Sequence, residues 1–314
     1  MRVLVTGGAG FIGSHVTDRL LALGHAVDVV DSLATGSRRN LATAEAAAPH
    51  RLWFSETDVR DPGITDLIAE RRPEVVYHLA AQADVRVSVA RPAFDAEVNV
   101  IGSLNVYEGA LAAGARKIVL AGSGGTLYGI PESIPTAETL PQHPVSPYGV
   151  AKKAAGDYLR YYDDVHDLDW TILALANVYG PRQDPHGEAG VVAIFGRALL
   201  AGKVPTIFGD GEQTRDFVYV GDVADAFVRC LDNGNRLLAN IGTGRETTVN
   251  ELFATMAGLC GVGEPATYAP PRTGELRRSA LDPSKAADAL GWTPATSFES
   301  GLERTLAWLG QAPS

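Results

Sequence analysis

Tyr148 and Lys152 stand four residues apart behind Ser146-Pro147, so both side chains fall on one face of an opening helix. A free phenol titrates at roughly 10. An ammonium beside it favours the phenolate and brings its titration toward neutrality. Such a pair is a general base for removing a proton from an alcohol. Ser123 stands directly after a short apolar run, the fifth along the chain. A Tyr-x-x-x-Lys spacing recurs by chance, and its meaning depends on what accompanies it.

What accompanies it is Thr6-Gly7-Gly8-Ala9-Gly10-Phe11-Ile12-Gly13, which follows a β-branched run and opens a helical pattern. Glycines 7, 10 and 13 permit a tight turn, backbone approach to a pyrophosphate and close helix–strand packing, and the helix N-terminus offers unpaired N–H groups to the anion. Asp31 closes the next apolar run 31 − 13 = 18 residues past Gly13. A carboxylate there accepts both ribose hydroxyls of NAD and repels a 2′-phosphate; Arg38 and Arg39 keep NADP open. The positive nicotinamide ring adds to the field that favours a Tyr148 phenolate.

These residues need a scaffold, and the first half of the chain supplies one. Arg2–Thr6, Ala26–Val30, a run before Asp58, Glu74–Leu79, Lys117–Leu120 and Thr171–Leu175 are short apolar runs. Helical patterns separate them at Phe11–Leu23, near Phe94–Ala113 and near Tyr148–Asp163. This alternation predicts a doubly wound α/β fold with a parallel sheet, that is, a Rossmann domain over residues 1–176. Residues 177–314 are expected to form mainly a smaller α/β substrate lobe, with segments near 210–245 returning to the first domain and helices at Val220–Leu231 and Thr248–Leu259. The 314 residues are 46% hydrophobic, close to the globular average, and carry 27 − 37 = −10 charges. No basic stripe serves a nucleic acid, and no apolar run spans a bilayer. Cys230 and Cys260 sit among apolar residues, as buried free thiols do in a reducing compartment, so a cytoplasmic setting is expected, with no membrane and no metal.

The glycine loop, Asp31, Ser123–Gly129, the Tyr148/Lys152 pair and Ala176-Asn177-Val178-Tyr179-Gly180-Pro181-Arg182 together resemble the extended short-chain dehydrogenase/reductase family, within it the nucleotide-sugar epimerases of the UDP-glucose 4-epimerase group. The resemblance runs from Arg2 to about Leu309. It implies tightly held NAD contacted by Gly7, Gly10, Phe11, Ile12, Gly13, Asp31, Ser32, Thr35, Gly36, Asp58, Val59, Leu79, Ala80, Ala81, Gln82, Asn99, Tyr148, Lys152 and Val178. It also implies a UDP-sugar substrate met by Arg86, Ser123, Asn177, Val191, Val192, Phe208, Arg215, Arg272, Glu275 and Ser279. A homodimer formed by the helices near Phe94–Ala113 and Tyr148–Asp163 goes with it.

The implied reaction is C4 epimerisation: Tyr148 takes the C4 hydroxyl proton, the ketone sugar turns over, and hydride returns to its other face. This chain departs from the family at Gly124, where many relatives carry the catalytic Ser or Thr, so Ser123 or Thr126 must orient the hydroxyl, Ser123 first because it stands directly after the strand and Thr126 second. Ser32 replaces an Asn that often follows the ribose-binding Asp. The small Ser279, where relatives selective for plain sugars carry Tyr, leaves room for an N-acetyl group. Arg86 and Arg182 keep a UDP-glucuronate epimerase or decarboxylase open. Gly125-Thr126, where dehydratases carry Asp-Glu, argues against dehydration. A non-catalytic NAD-sensing regulator would tend to lose Tyr148 or Lys152, and this chain keeps both.

Overall fold

The computed structural model describes residues 1–184, 190–271 and 276–311. Its first half alternates strand and helix: β1 (Arg2–Thr6), α1 (Phe11–Ala22), β2 (Ala26–Asp31), α2 (Ala42–Ala47), β3 (Leu52–Glu56), α3 (Gly63–Arg71) and β4 (Val75–His78). There follow α4 (Val85–Ala90), α5 (Pro92–Ala96), a π turn (Glu97–Ile101), α6 (Gly102–Ala112), β5 (Lys117–Ser123), α7 (Gly124–Leu127), α8 (Pro147–His166) and β6 (Asp169–Leu175). The second half holds β7 (Asn177–Tyr179), α9 (Val191–Leu200), β8 (Thr206–Phe208), β9 (Thr214–Arg215), β10 (Phe217–Tyr219) and α10 (Val220–Arg229). It closes with β11 (Leu237–Ile241), β12 (Thr247–Thr248), α11 (Val249–Cys260), β13 (Thr267–Ala269), α12 (Ser284–Leu290) and α13 (Phe298–Gln311).

Seven strands form one parallel sheet in the order β11-β6-β5-β4-β1-β2-β3. The order reverses between β1 and β4, and the crevice at the carboxyl ends of those strands is where a doubly wound sheet takes its ligand. Alternate residues of each strand feed opposite layers. Val3, Val5 and Val119 pack with Val16 and Leu20 of α1 and Phe227 of α10, whereas Leu4, Ile118 and Leu120 pack with Ile68 of α3, Tyr107 of α6 and Leu159 of α8. Burial on both faces is why the strands read as continuous apolar runs. A third core joins Val192, Phe195 and Leu199 of α9 to Leu252 and Met256 of α11 and Leu302 and Leu306 of α13.

Several expectations change. The helix near Phe94–Ala113 is three segments with a π turn between α5 and α6. Lys117–Leu120 extends as β5 to Ser123, because Ala121, Gly122 and Ser123 pair with β6. Cys260 is only partly buried, since α11 turns it toward the rim of its core, while Cys230 is buried. Helices α9, α12 and α13 add to the two helices expected in the second half. Among the described residues, no helix is long and apolar enough to cross a membrane.

Candidate active site

At the carboxyl edge of β1 the chain turns through Gly7 at φ +68°. A Cβ on Gly7 would stand 2.6 Å from the Ala80 nitrogen, and one on Gly13 would stand 2.1 Å from the Gly7 carbonyl oxygen. Side chains are excluded on both sides of the turn, so β1, the head of α1 and Leu79-Ala80 close into a backbone-lined cradle. That is the shape a dinucleotide pyrophosphate requires. Asp31 ends β2, where its carboxylate accepts the Ala9 N–H at 2.9 Å and the Leu33 N–H at 2.8 Å. Burial raises its pKa against those bonds, and a ligand hydroxyl donating to it would relieve that cost. A Cβ at Gly36 would reach 2.9 Å from Asp31 Oδ1, so the lack of a side chain lets the loop pack closely against the carboxylate.

The other expected cofactor residues fall into two groups. Phe11, Ile12, Ser32, Thr35, Gly36, Leu79, Ala80, Ala81 and Val178 border the crevice with partial or full exposure. Val59 is core, packed over Gly102. Asp58 is held by Arg60 Nε at 3.0 Å and Nη2 at 2.7 Å, which lowers its pKa. Arg38, the possible 2′-phosphate ligand, is committed to Glu45 at 2.9 Å.

Ser146 caps α8 by accepting the Gly149 N–H at 3.2 Å, and Pro147 fills the first turn. This start places Tyr148 and Lys152 on the buried face, 9% and 6% exposed, with Lys152 Nζ 6.0 Å from the centre of the Tyr148 ring. Burial pulls Lys152 down to about 8, against an upward push from Asp95. Thr126 lies beside them: its carbonyl oxygen is 2.9 Å from where a Gly149 Cβ would sit. At Gly124 a Cβ would stand 2.3 Å from Leu281 Cδ1 and 3.1 Å from the Ala174 carbonyl oxygen, so a side chain there would require Leu281 to move. Leucine fills that space, which leaves Ser123 and Thr126 on either side of it.

Below the pair lies a polar cluster that joins Gln82 and Asn99, both expected from the sequence, to Asp95 and His78, which sequence reasoning did not find. The π turn swings Asn99 inward, where its Oδ1 accepts the Gln82 N–H at 3.0 Å and its Nδ2 donates to the Gln82 carbonyl at 2.9 Å and to Asp95 Oδ1 at 2.9 Å. Gln82 Nε2 reaches the same Asp95 oxygen at 2.8 Å. His78, at the end of β4, bonds Thr6 Oγ1 at 2.7 Å and Ser103 Oγ at 2.9 Å, and burial keeps it neutral, down to about 3. The four-residue spacing of Asp95 and Asn99, which places both on one face of a helix, was the available signal.

On the substrate side, β8 and β13 flank a cavity of about 480 Å³ lined by Phe208, Gln213, Pro271, Leu276 and Arg277. Arg215 is positioned by Nη1 donating to the Thr214 carbonyl at 2.7 Å and the Leu276 carbonyl at 2.9 Å. Behind it Asp216, 1% exposed, accepts from Thr243 and from the Gly244 and Leu281 N–H groups, fixing this strand to the sheet. Asn177 is exposed at the head of β7, Val191 is partly buried and Ser279 lies in the adjoining segment. Val192 is a correction: at 1% exposure it belongs to the third core, since the first turn of α9 points it inward. Arg86 is paired with Asp84 at 2.7 Å and Arg182 with Asp18 at 2.7 Å. Arg272 and Glu275 lie outside the described residues.

With this geometry in view, likeness to known proteins is informative. Residues 3–242 match the NAD dependent epimerase/dehydratase family. The chain is 50% identical over 309 residues to a UDP-glucose 4-epimerase of Mycolicibacterium smegmatis, covering 98% of this chain and 97% of that one. Among solved structures it is similar to UDP-glucose 4-epimerase from Thermotoga maritima with UDP-glucose, with TM-score 0.94, 46% identity and 98% of each chain covered. It is likewise similar to the Thermus thermophilus UDP-glucose 4-epimerase in complex with NAD, with TM-score 0.91, 44% identity and both chains fully covered. A match spanning the phosphate loop, the Tyr148/Lys152 helix and the last strand of the sheet makes this chain a member of the NAD dependent epimerase/dehydratase family.

Proposed function

We propose that the protein is an NAD-dependent C4 epimerase of a UDP-sugar. The observation that carries this reading is Tyr148 and Lys152 together on the buried face of α8, below the crevice onto which the phosphate loop opens. Gly7, Gly10, Phe11, Ile12 and Gly13 would hold the pyrophosphate of NAD, Asp31 its adenosine ribose, and Lys152 its nicotinamide ribose. NAD, when bound, supplies a reversible hydride acceptor.

Tyr148 takes the proton of the sugar's C4 hydroxyl, with Ser123 or Thr126 orienting that hydroxyl, and returns the proton once the ketone sugar has turned over. The ammonium of Lys152 favours the phenolate that starts the cycle. Arg215 grips the diphosphate and Phe208 lines the cavity for the base, so the nucleotide is held while the sugar stays free to rotate. Proton and hydride are both removed and restored, and there is no net redox change.

Residues 1–176 serve the cofactor in this reading, and those from 177 onward mainly serve the nucleotide sugar. Ser279 leaves room for an N-acetyl substituent. A uronic acid is disfavoured, because the Arg86 and Arg182 guanidinium groups are both engaged by carboxylates. Ile101 of the π turn with Val150, Tyr158, Tyr161 and Val165 of α8, each 43–58% exposed, forms an apolar stripe that we assign to a homodimer. The two unpaired thiols accord with a cytoplasmic enzyme. The test is product analysis after incubation with UDP-glucose and no added NAD. UDP-galactose is expected; no turnover, or carbon dioxide release from UDP-glucuronate, overturns the assignment.

A further inference from the structure

We propose that Asp95 is a positioning residue for this chemistry, its buried carboxylate being the counter-charge that keeps Lys152 an ammonium beside Tyr148. The proposal rests on the functional reading above. Asp95 is 1% exposed, and a carboxylate taken so far from water needs compensation. Its Oδ1 receives two hydrogen bonds, at 2.8 Å from Gln82 and 2.9 Å from Asn99, and both donors are neutral amides. Its Oδ2 is buried with no hydrogen-bond partner. Burial pushes the Asp95 carboxyl up, and its two amide donors and the charge of Lys152 oppose that push; Lys152 is carried by α8, which packs directly on α5. The two do not touch as a salt bridge, so the attraction works through a water-poor interior, where screening is weak. A tie for the Gln82 loop alone would need only a neutral acceptor at this place.

Among the described residues, no other charge does this work. The titratable groups facing Lys152 are Asp95 from α5, His78 from β4 and Tyr148 on its own helix. His78 is neutral, and what it feels from Lys152 pushes it further from protonation. Arg86 of α4 is tied to Asp84. Glu97 of the π turn is exposed. Glu108 of α6 meets Tyr162 farther along α8, and Lys117 of β5 faces Asp169 at the opposite end of the sheet. Asp95 is therefore what opposes the desolvation that would strip Lys152 of its proton near neutral pH.

The test compares wild-type holoenzyme with Asp95→Asn, which keeps an acceptor for Gln82 and Asn99 and removes the charge, and with Asp95→Glu, which restores it. The chain has five lysines, Lys117, Lys152, Lys153, Lys203 and Lys285, so ¹³Cε-lysine NMR resolves the Lys152 titration directly. Asp95→Asn is expected to move that titration, and the alkaline limb of the kcat profile, to lower pH by about one to three units. KM at pH 6.5 should change less than threefold, and Asp95→Glu should return most of the shift. If Asp95→Asn does not fold, Asp95→Ser carries the same expectation. A Lys152 titration that stays in place in the neutral variant overturns the proposal, even with activity reduced. Absence of epimerase activity in the wild type would instead overturn the functional reading, while the NMR comparison would still decide the role of Asp95.

Discussion

Gly13→Ala tests the phosphate loop through one added methyl. The new Cβ would stand 2.1 Å from the Gly7 oxygen, 2.8 Å from its carbonyl carbon and 2.9 Å from Gly8 Cα, where ordinary contact begins at 3.4 Å. All three neighbours are backbone atoms, so no rotamer change relieves the overlap. The loop must open by 3.4 − 2.1 = 1.3 Å. Overpacking of this kind costs about 1–3 kcal/mol, and the rigid partners favour the upper end. Expressed in cofactor binding, about 3 kcal/mol is a loss of roughly 150-fold in affinity. NAD released from denatured protein, per mole of chain, should be near one for the wild type and far below one for the variant. The variant's thermal midpoint should rise on adding NAD far more than the wild type's. A Gly13→Ala protein that retains full NAD and an unchanged midpoint refutes the cradle.

Further outcomes follow from the same geometry. Burial lowers Lys152 from 10.5 to about 8, so between those values the unfolded chain holds a proton that the folded chain has lost, and unfolding free energy rises with pH across that window. Below about pH 8 the buried ammonium costs folding up to ~3 kcal/mol; apo Lys152→Met should therefore melt higher than apo wild type at pH 7 while epimerising at least 100-fold more slowly, as calorimetry and product assays would show. Ser123→Ala and Thr126→Ala should differ, with one losing tenfold or more in kcat and the other nearly unchanged; equal small effects would remove the orienting hydroxyl from the mechanism. Tyr158→Asp with Val165→Asp should yield a monomer by light scattering. Ser279→Tyr should abolish turnover of an N-acetylated sugar before that of a plain one.

The residues whose places are set by local spacing were the easiest to read from sequence. Gly7, Gly13, Asp31 and Tyr148/Lys152 are set by local spacing on a strand, a turn or one helix, and local spacing survives into the fold. Asp95 and His78 were not legible, because their meaning comes from packing between α5, α8 and β4, which are distant in sequence. The π turn at Glu97–Ile101 adds a residue to the helical repeat, so a regular period misreads which side chains face inward. Val192 shows the opposite error: the first turn of α9 buries its side chain in the third core, which its place in the sequence does not reveal. Leu281 occupies the space beside Gly124, and that contact joins segments far apart in sequence.

The central claim is that hydrogen leaves the sugar's C4 and returns to the same carbon within one closed site. UDP-glucose bearing deuterium at C4, turned over in ordinary water by the protein as purified with no NAD added, measures this directly. The UDP-galactose formed should keep its deuterium at C4, on the inverted centre. Loss of the label to solvent, or a requirement for continuously supplied NAD, would contradict the account.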